Sequence, residues 1–266
     1  MPELRAFCTK RIKIMRKIRF LSGNALKIIA AVSMVADHVG LLFFPQMEIF
    51  RIIGRLALPI FAFMIAEGCR YTKNKIRYFS MIFGLAFICQ VVYYLFDGSL
   101  YMCILVTFSL SILTLFSLEN FKRIAFSKQS NPILKVLAAG LFFAVVAFIY
   151  FANTYLKRYG IDIDYGFWGC MLPVFAGLFH MPENCNVPLL KKLDSHYTGV
   201  LMLALGLLPL MTKIGWVQPY SLLALPLLLL YSGKRGKWKM KYFFYIFYPL
   251  HLVLLEGIYI FTVIMK

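Results

Sequence analysis

The sequence predicts an all-α integral membrane protein with about nine transmembrane helices, and three observations support this. Hydrophobic residues make up 61% of the chain and the mean hydropathy is +0.77, whereas soluble domains are about half apolar. Nine apolar runs follow one another along the chain, and basic residues collect in alternate gaps between them. We therefore expect one transmembrane domain over residues 25–266, preceded by a basic segment at residues 1–24.

Each apolar run is bounded by charged or turn-forming residues. A helix needs about 20 residues to cross the hydrocarbon core of a bilayer, and most of the runs approach that length. The seventh and eighth runs are short, so full crossing is left open for both. The nine runs lie at residues 25–44, 53–69, 78–96, 101–118, 133–152, 161–179, 197–211, 219–231 and 242–265.

The basic residues predict the orientation. With a cytoplasmic N-terminus, the cytoplasmic segments and the adjacent Lys27 hold 23 of the 29 Lys and Arg residues. Positive charge of this kind marks the cytoplasmic side of membrane proteins. The net charge of +18 is thus explained without nucleic acid, and membrane lipids become the expected partners. We expect a multi-pass protein of the cytoplasmic membrane.

Two ionisable residues lie side by side inside the first run, in "ADHVG". Intramembrane ionisable groups are costly and are functional candidates for that reason. His38 lies eleven residues after Lys27, which is almost three helical turns, so both side chains share one helix face about 16 Å apart along the axis. His38 suits general-base catalysis because the unperturbed pKa of a histidine side chain is close to neutrality. Asp37 points about 100° away and is expected to pair with another helix.

The second run supplies a possible partner for Asp37. Arg51 and Arg55 are one turn apart on one helix face, and Arg55 is expected to bind Asp37 or an acidic substrate group. Pro59 cannot donate to the carbonyl of Arg55, so a kink is predicted there.

Polar groups in three further runs are candidates for the substrate site. Gln90 lies in the third run, and "YGIDIDYGFWG" opens the sixth run with two acidic residues and a tyrosine. In the last run His251 follows Pro249, which suggests a cavity rather than a lipid-facing surface. The substrate-site candidates are Arg51, Gln90, Asp162, Asp164, Tyr165 and Tyr248, and His251 joins the candidate catalytic residues.

Four sequence blocks together resemble the TraX family, membrane proteins associated with the acetylation of conjugative pilin. The blocks, which occur in order from residue 26 to about residue 252, are "LKIIAAVSMVADHVGLLFF", "RIIGRLALPIFAFMIAEGCRYTKNKIRYF", "DYGFWG" and "YFFYIFYPLHL". The first block also resembles a pattern of multi-span membrane acyltransferases, in which a basic residue, ten others and a histidine mark the acyl-transfer site. Lys27 and His38 occupy those two places.

The resemblance implies an acyltransferase that takes an acetyl or other short acyl group from cytoplasmic acyl-CoA. The acceptor would be an amine or hydroxyl on the outer side, in a pilin-like peptide or a cell-surface glycan. His38 is then the expected base, with Asp37, Arg55 and His251 as further catalytic candidates. The expected CoA-binding cations are Lys27, Lys73, Lys75 and Arg77, and no metal is predicted.

Two alternatives from other classes remain open at this stage. A proton-coupled transporter could use Asp37, His38, His251 and Glu256 as a proton relay. A non-catalytic membrane chaperone for a small hydrophobic protein such as pilin would need none of these groups.

Overall fold

The computed structural model describes residues 19–213 and 215–264, so most of the predicted basic segment at residues 1–24 lies outside the described residues. The described chain is built from helices joined by loops, with two isolated β-bridges between loops. The α-helices are α1 (Gly23–Phe43), α2 (Glu48–Gly54), α3 (Ala57–Tyr71), α4 (Lys75–Asp97), α5 (Ile104–Ala125), α6 (Pro132–Arg158), α7 (Gly166–Gly177), α8 (Pro188–Leu193), α9 (His196–Lys213), α10 (Ala224–Leu229) and α11 (Lys241–Tyr259). A 3₁₀-helix, Gln218–Leu223, precedes α10, and a π-helical turn, Ile260–Ile264, follows α11.

The loops identify two ends of the bundle. At the end where α1 and α11 begin, Asn24 donates to the carbonyl of Trp238 at 2.7 Å. We call this the basic end, because Lys75 and the loop 232–240 also lie there. At the opposite end, the amide of Met102 donates to the carbonyl of Asp162 at 2.8 Å.

Six helices or helix pairs in the described part of the chain are long and apolar enough to cross a membrane, which identifies a membrane protein. They are Gly23–Leu42, Glu48–Tyr71, Lys75–Leu95, Ile104–Ala125, Pro132–Arg158 and Tyr242–Thr262. Two shorter apolar helical segments, Gly166–Ala176 and Gln218–Leu229, accompany them. The predicted count of nine crossings is therefore supported for six.

The predicted kink in the second run is confirmed. Helix α2 ends at Gly54 and α3 begins at Ala57, so the break falls at Arg55. Pro59 cannot supply the amide hydrogen that the Arg55 carbonyl would accept in a continuous helix. The Arg55 side chain at the break is buried beside α1.

The sixth run is shorter than predicted. Residues 161–179 were expected to form one helix, but α7 begins only at Gly166. Ile163 pairs with Met102 in a parallel β-bridge, and Tyr165 adopts a left-handed conformation with φ of 58°. The β-bridge and the left-handed residue are incompatible with a helix, because helical residues need φ near −63°. The eighth run also departs from the prediction, since it begins as a 3₁₀-helix before α10.

The core lies between α3, α5, α7 and α9. Its fully buried side chains include Phe63, Ile112, Leu172 and Leu203, one from each of these helices. By contrast, only 11% of the residues in the 18-residue apolar stretch of each of two spans are buried inside the protein. These spans are Pro132–Arg158 and Tyr242–Thr262. A span that is apolar all round but unburied in the protein suits contact with lipid.

Candidate functional site

An apolar cavity of about 120 Å³ lies among α1, α3, α4, α5 and α11. On α1 it is lined by Lys27, Ala31 and Met34, residues that recur at helical spacing on one face. Lys27 lies nearest the basic end, with its ammonium group 5.8 Å from the centroid of the Phe244 ring. An ammonium group near an aromatic face is favourable, so this lysine of the cavity wall is held against α11.

His38 is the next residue on this face of α1 after Met34, and it meets His251 of α11. The two imidazole rings contact each other edge to face, with centroids 5.2 Å apart and an interplanar angle of 82°. Tyr248, which lines the cavity, contacts the His251 ring at a centroid distance of 5.3 Å. The structure therefore brings together three of the predicted site residues, and one of them, Tyr248, lines the cavity.

Backbone contacts fix the proton positions on both imidazoles. Nδ1 of His38 lies 2.8 Å from the carbonyl oxygen of Met34, and Nδ1 of His251 lies 3.2 Å from that of Phe247. A carbonyl can only accept, so in the neutral ring each Nδ1 carries the proton and each Nε2 carries a lone pair. Nε2 of His251 is buried and has no hydrogen-bond partner in the described structure. The site thus has a buried acceptor that is ready for a donor from a ligand.

Asp37 points away from His38 and binds the second run, as its helical position predicts. Its two carboxylate oxygens accept from Arg51 at 2.9 Å and from Arg55 at 2.8 Å. The Arg55 side chain is only 6% exposed, whereas that of Arg51 is 30% exposed. Gly54 makes the close approach possible, because a Cβ atom there would overlap the Asp37 side chain.

Arg55 links this charged cluster to two other segments. Its Nη1 group donates to the Tyr165 hydroxyl at 3.2 Å and to Oε1 of Gln218 at 3.3 Å. Gln218 is fully buried in the 3₁₀-helix. Sequence reasoning did not find Gln218, since a single neutral amide beside a proline carries no distinctive pattern.

Asp164 forms a second polar contact at the opposite end. It accepts a hydrogen bond of 2.6 Å from the Tyr101 hydroxyl, and its backbone carbonyl accepts from Thr107 at 2.7 Å. Burial raises the pKa of the Asp164 carboxyl to about 6, against an opposing effect of the Tyr101 hydrogen bond. Burial and the neighbouring Asp164 also raise the pKa of Tyr101.

The remaining predicted site residues do not join these groups. Lys73 and Arg77 are exposed, and Lys75 forms an ion pair of 2.9 Å with Glu119. None of these three lines the apolar cavity. Lys73, Lys75 and Arg77 lie at the start of α4, whereas Lys27 faces α11. The assignment of these four cations to CoA binding stays a prediction.

Two predicted substrate-site residues also stand apart. Asp162 is exposed and lies 3.8 Å from Lys157 at the opposite end. Gln90 is half-buried on α4, and its Oε1 atom is buried with no hydrogen-bond partner in the described structure. Neither residue contacts the imidazole pair through a hydrogen bond or ion pair found in the described structure.

Comparisons with known proteins place most of this chain within one family. The family model described as "TraX protein" matches residues 22–259. A probable fimbrial assembly protein FimC, serogroup H1, of Dichelobacter nodosus is 27% identical over 265 residues, which cover 90% of this chain and 96% of that protein. An uncharacterized protein of Rickettsia prowazekii is 43% identical over 54 residues, covering 20% of this chain and 21% of that protein. No solved structure matches the chain.

Proposed function

Because the chain belongs to the TraX family, we propose that it is a membrane acyltransferase acting in the processing of a pilin-like or other surface molecule. It would transfer an acetyl or other short acyl group from cytoplasmic acyl-CoA to an amine or hydroxyl on the outer side. The similarity to a protein named for fimbrial assembly supports an acceptor of the pilin class. A cell-surface glycan is the other acceptor consistent with a hydroxyl nucleophile.

One observation carries the proposal: Lys27 and Tyr248 line one apolar cavity, and the Tyr248 ring contacts His251, which in turn contacts His38. Lys27, Ala31 and Met34 line the cavity, and His38 follows them on the same helix face. Such an arrangement suits a thioester with an anionic head at one end and a reactive carbonyl at the other. The cavity volume of about 120 Å³ is close to the roughly 150 Å³ that encloses a benzene molecule, so it suits a short acyl group.

The chemistry assigned to His38 is general-base catalysis. Its Nε2 lone pair accepts a proton from the attacking amine or hydroxyl while the new bond to the acyl carbon forms. The carbon–sulfur bond then breaks, and the same proton passes to the departing thiolate, which leaves as the free thiol. The Nδ1 contact to Met34 keeps the imidazole in the tautomer that this step requires.

Tyr248 is the best candidate for stabilising the oxyanion that forms on the acyl carbonyl. Its hydroxyl can donate, and its ring both lines the cavity and contacts His251. His251 supplies an acceptor at Nε2 in the tautomer set by Phe247, so it fits a donor N–H of the substrate. Arg55 is held by Asp37, Tyr165 and Gln218, and we assign it and Asp37 to positioning the acceptor side.

The orientation completes the proposal. We place the basic end in the cytoplasm, in accord with the positive-inside rule, and the opposite end toward the periplasm or exterior. Arg51, Asp162, Asp164 and Tyr165 then lie on the acceptor side, and Gln90 contributes a buried acceptor on α4. The shorter segments α7, α9 and the 3₁₀-helix with α10 would complete the nine crossings.

The direct test is acyl transfer by the purified full chain in lipid nanodiscs. Radiolabelled acetyl-CoA is supplied with a peptide that carries the N-terminal sequence of a pilin, or with a surface glycan in a parallel reaction. The proposal expects time-dependent labelling of one acceptor and release of an equal amount of free CoA thiol. If neither acceptor is labelled and no thiol is released, the chain is not an acyltransferase for these classes of acceptor.

A further inference from the structure

A second, polar cavity lies at the basic end of the bundle, and the proposed reaction does not yet use it. Its volume is about 790 Å³, and it lies among α3, α5, the end of α7 and the loop 178–184. Binding sites for small molecules commonly measure about 300–1,000 Å³. This cavity is large enough for a nucleotide, whereas the apolar cavity of about 120 Å³ is not.

A buried lysine contributes positive charge to this cavity. Lys122 is 7% exposed, and its ammonium group donates to the carbonyl oxygens of Leu178 at 2.6 Å, His180 at 3.1 Å and Gly177 at 3.5 Å. These three acceptors are neutral, so they satisfy the hydrogen bonds of the ammonium group without cancelling its charge. Buried charges are normally paired with an opposite charge, and an anion in the cavity would serve that purpose.

The cavity wall also offers groups for direct contact with an anionic nucleotide. Arg123 lines the cavity, and its side chain is 60% exposed while one nitrogen donates to Glu119 at 2.8 Å. Tyr71 and Arg70 also line the cavity, with the guanidinium 5.8 Å from the centroid of the tyrosine ring. Aromatic rings and guanidinium planes are surfaces on which a nucleobase can stack.

The wall contains carboxylates as well, which limits how many phosphates it can hold. Glu119 is already neutralised by Lys75 at 2.9 Å and Arg123 at 2.8 Å, and Arg70 is paired with Asp194 at 2.7 Å. Glu183 is exposed at the rim. Lys122 forms no ion pair with a carboxylate among the described residues, and Arg123 shares the single carboxylate of Glu119 with Lys75. These two cations therefore have positive charge left for a phosphate.

The polar cavity and the apolar cavity share helix α3 as a wall. Ile65 lines the apolar cavity, and its neighbour Ala66 lines the polar cavity. The hydroxyl group of Tyr78, which lines the apolar cavity, packs against Gly68 of α3. The nucleotide and the acyl group of one donor would therefore contact neighbouring faces of α3.

We propose that the polar cavity binds the phosphate-bearing adenine nucleotide of the acyl donor, with Arg123 contacting the phosphates and Lys122 attracting them through its positive charge. This inference rests on the proposed acyltransferase function. Lys122 and Arg123 take the place of the exposed Lys73 and Arg77 as the cations expected to bind the nucleotide. Lys75 then acts indirectly, because it neutralises Glu119 and so leaves Arg123 available to the phosphates.

The test measures binding of adenosine 3′,5′-bisphosphate, which corresponds to part of CoA without the acyl-bearing arm. The full chain in phosphatidylcholine nanodiscs is titrated by calorimetry, as wild type, Lys122→Met, Arg123→Gln and Lys157→Gln. Lys157, at the opposite end, is the matched control. We expect both cavity variants to lose affinity by about tenfold or more and the control to bind like the wild type. Arg123→Gln preserves the α7 contacts of Lys122, so it remains informative if Lys122→Met does not fold.

Three results would overturn the inference: no binding by the wild type, unchanged binding by Arg123→Gln, or displacement of the bisphosphate by phosphatidylglycerol headgroups. Turnover separates this inference from the proposed function. Arg123→Gln should raise the KM for acetyl-CoA but not for acetyl-pantetheine, which has no nucleotide. If Arg123→Gln still transfers the acyl group but its KM changes equally for acetyl-CoA and acetyl-pantetheine, the nucleotide site is refuted and the acyltransferase function stands. Bisphosphate binding without transfer from either donor refutes the acyltransferase function alone.

Discussion

His38 and His251 come from the first and last long helices of the bundle, yet their rings meet edge to face at 5.2 Å. The Nδ1–H group of each ring donates a hydrogen bond to a carbonyl oxygen one turn earlier in its own helix. In their neutral forms both imidazoles then carry a lone pair on Nε2, and the His251 ring contacts Tyr248 in the wall of the apolar cavity. One lone pair can remove a proton from the acyl-accepting amine or hydroxyl, and the other can accept a hydrogen bond from the substrate.

The first prediction concerns His38. Replacement by Gln should lower the rate of acyl transfer by about 100-fold or more, because a general base commonly contributes 10²- to 10⁴-fold. Binding of acetyl-CoA and the thermal unfolding midpoint should change little. The matched control is His196→Gln, in which the side-chain amide can still reach the Leu228 carbonyl that His196 contacts at 2.8 Å. Full turnover by His38→Gln would exclude His38 as the base.

The second prediction concerns the volume of the apolar cavity. Ala31→Leu adds three carbon atoms to a wall of a cavity of about 120 Å³, so it should raise the KM for acetyl-CoA and exclude longer acyl groups. A series from acetyl-CoA to hexanoyl-CoA measures the effect in the wild type and the variant. Val32 lies next in sequence but is 62% exposed, and Val32→Leu should leave the KM values unchanged. An identical acyl preference in both proteins would place the donor elsewhere.

The third prediction separates the two arginines that bind Asp37. Removing one partner of a buried ion pair costs about 3–5 kcal/mol, whereas an exposed pair contributes about 1 kcal/mol or less. Arg55→Met should therefore lower the free energy of unfolding much more than Arg51→Met, since their side chains are 6% and 30% exposed. Unfolding in detergent, followed by far-UV circular dichroism, gives the comparison. Equal losses would show that Arg55 is not the buried member of the cluster.

The fourth prediction concerns the packing of Gly54 against Asp37. A methyl group at Gly54 would overlap the Asp37 carboxylate, so Gly54→Ala should lower the unfolding midpoint. Gly84→Ala is the control, because a Cβ atom at Gly84 meets nothing within 4 Å. In a helix interior Ala is favoured over Gly by up to about 1 kcal/mol, so this variant should unfold at the same or a higher temperature. If both substitutions shifted the unfolding midpoint in the same direction, the close packing of Gly54 against Asp37 would be contradicted.

The fifth prediction concerns the pH dependence of stability. Burial raises the pKa of Asp164 from 3.8 to about 6, so between those values the folded chain binds a proton that the unfolded chain has lost. The contribution of Asp164 to stability should be most favourable below pH 4, fall as the pH rises toward 6, and stay constant above that. Asp164→Asn should remove this part of the pH dependence, as measured by unfolding midpoints from pH 4 to 8. Asp162→Asn, an exposed neighbour, should retain it, and a wild-type profile in Asp164→Asn would contradict the assignment.

Local sequence patterns predicted much of the helical framework. The apolar runs each coincide with a helical segment, and the proline at residue 59 correctly located the break at Arg55. Helical spacing also placed Lys27 and His38 on one face and turned Asp37 toward another helix. These features depend on neighbours within a few turns of the same helix, so the sequence contains the information that fixes them.

Tertiary structure alone decided which groups meet. The contact of His38 with His251, the burial of Gln218 against Arg55, and the placement of Lys122 at the end of α7 each join segments far apart in the chain. The sequence marked Lys122 only as one basic residue among many, and it grouped Lys73, Lys75 and Arg77 with Lys27 on charge alone. Helical periodicity determines the direction of a side chain relative to its own axis, but the relative positions of the axes result from packing of the whole bundle. The sequence by itself therefore determined a membrane-embedded set of helices with a histidine facing inward, and only their packing decided which groups surround that histidine.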